Sequence, residues 1–153
     1  MQKLLFVCLG NICRSPLAEG IMLHLNEKYN LKWSIDSAGT ANYHVNEAPD
    51  RRTIANAKMN GVDLSPLRAR QFKVDDFDAF DRIFVMDKSN LQNILKLAKH
   101  DEHKSKVDLF LNVLHPDSNS EVPDPYYGNE HDFEHVFQLV YKACEEMRMK
   151  YSK

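Results

Sequence analysis

A cysteine and an arginine six residues apart are the pair in this sequence whose types and spacing best suit chemistry. Cys8 can supply a thiolate, which is a strong nucleophile. Arg14 carries a planar guanidinium that can pair with two oxygens of an oxyanion such as phosphate. Such a pair can arise by chance, so its meaning depends on the elements that flank it.

The residues around this pair predict a strand, a short loop and a helix. Residues 3–9 are mostly apolar, which is typical of a strand buried on both faces of a parallel sheet. Ser15-Pro16 suits a helix start, and apolar residues then recur at a four-residue spacing for about four turns. In the connecting loop Gly10 permits an unusual backbone turn.

A loop between a strand and a helix can bind an anion. Its successive backbone N–H groups can face one ligand, aided by the positive end of the helix. We therefore predict that phosphate is bound by the residues after Cys8, whose thiol should ionise more readily than a free cysteine. The alternative is a buried cysteine that only packs. The predicted phosphate-binding residues are Leu9, Gly10, Asn11, Ile12, Cys13, Arg14 and Ser15.

Strands and helices alternate along the rest of the chain. We predict further strands over residues 33–38, 82–86 and 107–111. Helices are predicted from Asp50 to Asn60, with Gly61 as the stop, around 91–98, and over a long C-terminal stretch. Ser65-Pro66 suggests a further helical turn, residues 96–108 a solvated charged face, and residues 112–129 a loop.

This alternation predicts an α/β fold: a flavodoxin-like four-stranded parallel sheet, in the order 2-1-3-4, with helices on both faces. Ligands of such sheets bind at the carboxyl ends of the strands, where the strand order reverses. The loop after strand one lies there, and loop 112–129 can reach the same edge. No repeat or flexible linker divides the sequence, so we predict one domain over residues 1–153.

Composition excludes several classes of partner. The formal net charge of -2 gives no general attraction to nucleic acid or to anionic membranes. The apolar run at the start is too short to span a bilayer, and no small-residue cleavage site follows it. Three cysteines in an unsignalled chain suggest free thiols. We therefore expect a cytoplasmic monomer without nucleic-acid or membrane partners.

Four patches of this sequence resemble the low-molecular-weight protein tyrosine phosphatases. They are C-L-G-N-I-C-R-S-P with the following A-E, D-S-A-G-T at 36–40, V-M-D-K-S-N-L at 85–91, and V-P-D-P-Y-Y-G at 122–128. They occur in the family's order and cover nearly the whole chain. The resemblance implies a hydrolase that acts on phosphotyrosine proteins or aryl phosphates and releases inorganic phosphate. It implies no metal and no cofactor.

The resemblance also implies roles for individual residues. Cys8 would be the nucleophile and form a phosphocysteine, while Arg14 and the loop amides bind the phosphoryl oxygens. Asp124, between two prolines, would be the general acid and then the general base. Without the resemblance, Asp124 could equally be a turn residue.

Other matched positions are expected to support the site or to contact the substrate. Asn11 and Ser37 would hold the phosphate loop in its strained shape. Ser15 could donate to the Cys8 thiolate, cap the helix, or do both. Aromatic walls for a phenyl phosphate are implied at Tyr43, Tyr126 and Tyr127.

Several alternatives stay open at this point. A Cys8–Cys13 disulfide is implied as a protective switch, but Cys13 could also be a spectator thiol. An arsenate reductase would need a relay of further cysteines, and Cys144 suits the apolar stripe of the last helix instead. Phosphoarginine hydrolysis is disfavoured by Ile12, and a phosphopeptide-binding module would need no catalytic residues. His131 and His135, four residues apart, lack a third metal ligand, and we predict solvated histidines.

Overall fold

A four-stranded parallel sheet forms the centre of the computed structural model, which describes residues 2–152. Its strands are β1 (Lys3–Cys8), β2 (Ser34–Gly39), β3 (Arg82–Val85) and β4 (Val107–Leu109). They lie in the order β2-β1-β3-β4, and all three strand pairs are parallel. The predicted fold class and strand order are therefore confirmed.

Six α-helices and one 3₁₀-helix connect the strands in the described part of the chain. The helices are α1 (Arg14–Lys28), α2 (Arg51–Met59), α3 (Asp76–Ala79), α4 (Lys88–Leu97), α5 (Asp101–Ser105) and α6 (Glu130–Tyr151), and the 3₁₀-helix covers Phe110–Val113. Asp50 caps α2 by accepting from the backbone N–H of Arg52, as the sequence predicts. No helix of residues 2–152 is long and apolar enough to cross a membrane.

The alternation of side chains along β1 builds an apolar core on each face of the sheet. Leu4, Phe6 and Cys8 point to the face that α1 and α6 cover. Leu5 and Val7 point to the opposite face, where they pack in a cluster with residues such as Phe77 of α3 and Ile94 of α4. Cys8, the last residue of β1, therefore lies at the carboxyl end of the sheet, on the face that α1 covers.

Two predicted helix starts are wrong in detail. Helix α1 begins at Arg14 with Cys13 as its N-cap, and Ser15 lies inside the first turn without capping it. Pro16 fits there because the first N–H groups of a helix have no partner within the helix. Ser65-Pro66 forms a turn and no helix. There the Asp63 carboxylate accepts the Ser65 backbone N–H, which is a local alternative to helix formation.

Residues 96–111 differ most from the prediction. Strand β4 ends at Leu109, because the chain turns into the 3₁₀-helix at Phe110. The charged stretch forms α5, and His103 within it is buried at 3% exposure instead of lying on a solvated face. Its ring stacks on Phe77 at a centroid distance of 4.6 Å, and Asp78 lies 3.2 Å from its Nε2. The charge pattern of the sequence does not predict that His103 is buried, because Phe77 and Asp78, which contact its ring, are distant in sequence.

Candidate active site

The loop between β1 and α1 wraps around the sulfur of Cys8. The backbone N–H of Asn11 donates to the Cys8 Sγ at 3.3 Å. Asn11 has a left-handed backbone with φ of 59°, a conformation that asparagine adopts more readily than most residues. Gly10, which the sequence suggested for the unusual turn, has no positive φ. A side chain there would instead crowd the ring of His44, whose Cδ2 lies 3.2 Å from the position of an added Cβ.

The segment after β2 fixes the start of this loop through backbone hydrogen bonds. The N–H of Thr40 donates to the carbonyl of Cys8, and that of Ala41 donates to the carbonyl of Leu9, at 2.9 and 3.0 Å. The two segments approach so closely that a Cβ on Gly39 would lie 2.8 Å from the Leu9 carbonyl oxygen. Any larger residue at Gly39 would therefore displace the loop.

Three buried polar side chains join the loop to α1 and β2. The Asn11 Nδ2 donates to the hydroxyls of Ser15 and Ser37, at 2.7 and 2.9 Å. The Asn11 Oδ1 accepts from the backbone N–H of Arg70 at 3.0 Å. The Ser15 hydroxyl also lies 2.9 Å from the Cys8 Sγ. The Asn11 side chain thus uses both hydrogens of its Nδ2 and its Oδ1 to fix the loop.

The guanidinium of Arg14 lies beside the loop and is itself held by two distant parts of the chain. Its Nη1 donates to the Asp87 carboxylate at 2.8 Å and to the Val122 carbonyl at 3.1 Å. Burial lowers the pKa of Arg14, but Cys8 and the carboxylates of Asp87 and Asp124 outweigh it, and the pKa is raised. Arg14 therefore remains a cation although it is 3% exposed.

Loop 114–129 brings Asp124 to the same place. Val122 donates its N–H to the Met86 carbonyl at the end of β3, so the loop is fixed two residues before Asp124. One carboxylate oxygen of Asp124 lies 3.7 Å from the Arg14 Nη2, and the other accepts from the Tyr126 N–H at 3.1 Å. Pro123 and Pro125 on either side restrict the backbone.

A pocket of about 230 Å³ opens above the loop. Cys8, Arg14 and Asp124 line it, together with the predicted aromatic residues Tyr43, Tyr126 and Tyr127. The tyrosines are 71%, 37% and 96% exposed, so they stand at the mouth and leave it open to solvent. The remaining lining residues are Leu9, Gly10, Ile12, Cys13 and His44.

The sequence also singled out the Cys13 thiol and a pair of histidines, His131 and His135. Cys13 is buried, and burial raises the pKa of its thiol to about 12, so it is a poorer nucleophile than a free cysteine. All three cysteines are free in this structure. No cluster of three or more metal-ligating side chains occurs within residues 2–152, and His131 and His135 have no third ligand there.

Sequence reasoning named His44 at the rim of the site, where it lines the pocket, but it missed Glu19, Arg70 and Asp87. Asp87 had a usable signal, because it follows β3 directly and lies in the quoted patch at 85–91. Glu19 follows the phosphate-loop patch within the A-E pair. Arg70 carried no local signal, since it reaches the site through the segment between α2 and α3.

Comparison with known proteins supplies an independent line of evidence. The family model for the low molecular weight phosphotyrosine protein phosphatases matches residues 3–153. A Synechocystis protein that carries this family's description is 46% identical over 145 residues, which is 94% of this chain and 92% of the relative. The Gallus gallus low molecular weight phosphotyrosine protein phosphatase is 41% identical over 148 residues, covering 95% and 92%.

Solved structures give the same result. The protein tyrosine phosphatase of Entamoeba histolytica superposes with a TM-score of 0.90 at 38% sequence identity, covering 98% of this chain and 96% of that one. Sequence and structure therefore agree over nearly the full length. This chain belongs to the low molecular weight phosphotyrosine protein phosphatase family and is an enzyme of the protein-tyrosine-phosphatase class.

Proposed function

We propose that this chain hydrolyses phosphotyrosine in proteins through a phosphocysteine intermediate on Cys8. The observation that carries the proposal is the position of the Cys8 sulfur at the wall of a pocket that Arg14 and Asp124 also line. A nucleophile, a cation and a proton donor are the three groups that phosphoryl transfer to a thiolate requires.

In the first step the Cys8 thiolate attacks phosphorus, a P–S bond forms, and the bond from phosphorus to the tyrosine oxygen breaks. Asp124 gives its proton to that leaving oxygen. Arg14 and the amides of residues 9–14 bind the remaining phosphoryl oxygens, whose charge they stabilise most strongly in the transition state. The ion pair of Arg14 with Asp87 supports this role, because it orients the guanidinium before the substrate arrives.

In the second step water attacks the phosphocysteine and inorganic phosphate leaves. Asp124, now ionised, takes a proton from the water, and the P–S bond breaks with its electron pair returning to the sulfur. The Ser15 hydroxyl, 2.9 Å from that sulfur, stabilises the departing thiolate by donating a hydrogen bond. Asn11 and Ser37 keep the loop in the shape that these steps need.

The walls of the pocket favour an aromatic phosphate. Tyr43, Tyr126 and Tyr127 can stack against a phenyl ring that enters between them. Ile12 adds an apolar contact at the position where, by the family resemblance, phosphoarginine-preferring relatives have threonine. Both features support phosphotyrosine as the substrate over phosphoarginine.

The domain organisation, the oligomeric state and the cellular location of the enzyme are proposed from its sequence. We propose a single domain over residues 1–153, which the family match over residues 3–153 supports. A monomer in the cytoplasm, acting without nucleic-acid or membrane partners and without a metal or cofactor, fits the net charge of -2 and the free thiols.

The test is hydrolysis of p-nitrophenyl phosphate in EDTA by the wild type and the Cys8→Ser variant. We expect turnover by the wild type and a loss of at least about 10⁴-fold in the variant, since removing a nucleophile costs most of the catalysis. Cys144→Ala is the matched control, because it removes a thiol far from the pocket, and it should keep wild-type kcat. Appreciable turnover by folded Cys8→Ser would refute the nucleophile assignment.

A further inference from the structure

A continuous row of hydrogen bonds runs from Glu19 on α1 to the Cys8 sulfur. The Ser37 hydroxyl donates to the Glu19 Oε1 at 2.5 Å. The Asn11 Nδ2 lies 2.9 Å from the Ser37 Oγ and 2.7 Å from the Ser15 Oγ, and the Ser15 Oγ lies 2.9 Å from the Cys8 Sγ. All five side chains are buried, with at most 8% exposure, so water does not compete for these bonds.

The chemistry of the groups fixes the direction of the bonds that Asn11 makes to the two serines. The Asn11 Oδ1 accepts from the Arg70 N–H, so the group that faces the two serines is the NH₂. Both of its hydrogens are donated, one to Ser37 and one to Ser15. Each serine oxygen is therefore an acceptor towards Asn11, and each has a single hydrogen left to donate.

The two ends of the row determine where those hydrogens go. Ser37 directs its hydrogen to the Glu19 oxygen, which leaves its lone pairs for Asn11. Ser15 directs its hydrogen to the Cys8 sulfur when that sulfur is a thiolate, because a thiolate can only accept and the Asn11 NH₂ can only donate. If the acceptor at Glu19 were missing, the Ser37 hydrogen would be buried without a partner. Ser37 would then be a less well ordered acceptor for Asn11, and the left-handed backbone of Asn11 would lose part of its support.

We propose that Glu19 is a positioning residue for catalysis: as the terminal acceptor it orders Ser37 and Asn11, and thereby keeps the Ser15 hydroxyl donating to the Cys8 thiolate. This inference rests on the proposed role of Cys8 as the nucleophile. Glu19 touches neither the substrate nor the sulfur, so its effect reaches Cys8 only through the row.

The role depends on an oxygen acceptor and does not require a charge. Burial raises the pKa of Glu19 to about 7, against the opposing effect of the Ser37 hydrogen bond. Nearby, Asp36 raises this pKa and Arg70 lowers it. Arg70 is itself shared between Asp36 and Asp76, which limits its effect on Glu19. A protonated carboxyl retains an oxygen that can accept from Ser37, so the row persists in both forms.

The test compares Glu19→Gln with Glu19→Met, which have similar length and differ in whether they carry an acceptor. We expect Glu19→Gln to keep kcat within about twofold. Glu19→Met should lower kcat roughly tenfold, the effect of one lost hydrogen bond, with an unchanged KM. The rate of Cys8 alkylation by iodoacetate should fall with kcat. Glu27→Met, on an exposed position of the same helix, should change neither quantity.

A double-mutant cycle separates this row from a general loss of structure. Ser37→Ala alone should lower kcat about as much as Glu19→Met, and the double variant should be no worse, because both remove the same link. Additive losses, an unchanged alkylation rate in Glu19→Met, or an equal loss in Glu19→Gln would each overturn the inference. These outcomes differ from failure of the proposed function, which would appear as turnover by Cys8→Ser.

Discussion

Cys8 and Cys144 belong to the same apolar cluster on the same face of the sheet, yet their surroundings differ in kind. Both are buried, at 3% and 0% exposure, and both contact α1. Cys8 meets the Ser15 hydroxyl and the Asn11 N–H, with the Arg14 guanidinium nearby. Cys144 packs in the apolar cluster, and its Sγ lies 3.9 Å from the Ala18 carbonyl oxygen.

The two cysteines differ in what faces the sulfur in place of water. Burial raises the pKa of Cys144 well above its usual range, because no donor or cation compensates for the lost water. At Cys8 the donors are supplied by the protein, and one side of the residue opens onto the pocket. The proposed nucleophile, Cys8, therefore differs from Cys144 in the groups that face its sulfur and not in how much surface it exposes.

The largest expected difference between the two cysteines is their rate of alkylation. Iodoacetate at neutral pH should modify Cys8 at least about 10³-fold faster than Cys144, which reacts only when the fold opens locally. Peptide mass spectrometry over time measures both rates in one sample. Inorganic phosphate should slow the reaction of Cys8 and leave that of Cys144 unchanged. Comparable rates in the absence of denaturant would break the contrast.

A smaller effect is expected from the carboxyl group of Asp124, which lines the pocket with Cys8. Asp124→Asn keeps the oxygen that accepts from the Tyr126 N–H but cannot transfer a proton. We expect kcat to fall about 10²-fold for substrates with poor leaving groups and much less for p-nitrophenyl phosphate. Asp117→Asn in the same loop is the control and should behave as wild type. Equal losses for all leaving groups would argue against an acid role.

The smallest expected effect is on the stability of the fold, and it tests whether the surroundings of Cys144 are apolar. Cys144→Ser places a hydroxyl where only the Ala18 carbonyl is near, which should lower the free energy of unfolding by about 1–3 kcal/mol. Urea denaturation measures this loss as a lower midpoint at an unchanged slope. The kcat of the folded variant should equal that of the wild type. A variant as stable as the wild type would mean that the environment of Cys144 is more polar than its contacts indicate.

Local patterns in the sequence were sufficient for the fold and for the centre of the site. The apolar run of β1, the helix period after Pro16 and the alternation of elements predicted the sheet order that the structure has. The residues of the phosphate loop could be named because they are contiguous, from Cys8 to Ser15. Asp124 could be named from the resemblance, since an aspartate between two prolines is otherwise typical of a turn.

The supporting contacts could not be predicted, because they join residues far apart in the chain. Asp87 binds Arg14 from 73 residues away, and the Arg70 N–H reaches Asn11 from 59 residues away. Neither pair of residues shows a periodicity or a spacing in the sequence from which the contact could be predicted. The same reason accounts for His103, whose burial depends on Phe77 and Asp78. The exact start of α1 was missed because Ser15 bonds to Cys8 and does not cap the helix.

The hydrogen bond from Arg14 to the Val122 carbonyl spans 108 positions of sequence. During synthesis on the ribosome, β1 and the phosphate loop are made early, but Val122, 108 positions after Arg14, and Asp124 are made much later. A nascent chain that stops before residue 122 therefore lacks one of the two groups that hold Arg14 and the proposed proton donor, although the proposed nucleophile is present. Recovery of turnover during refolding should accordingly report completion of the whole fold, because the proposed reaction needs a contact that spans much of the sequence.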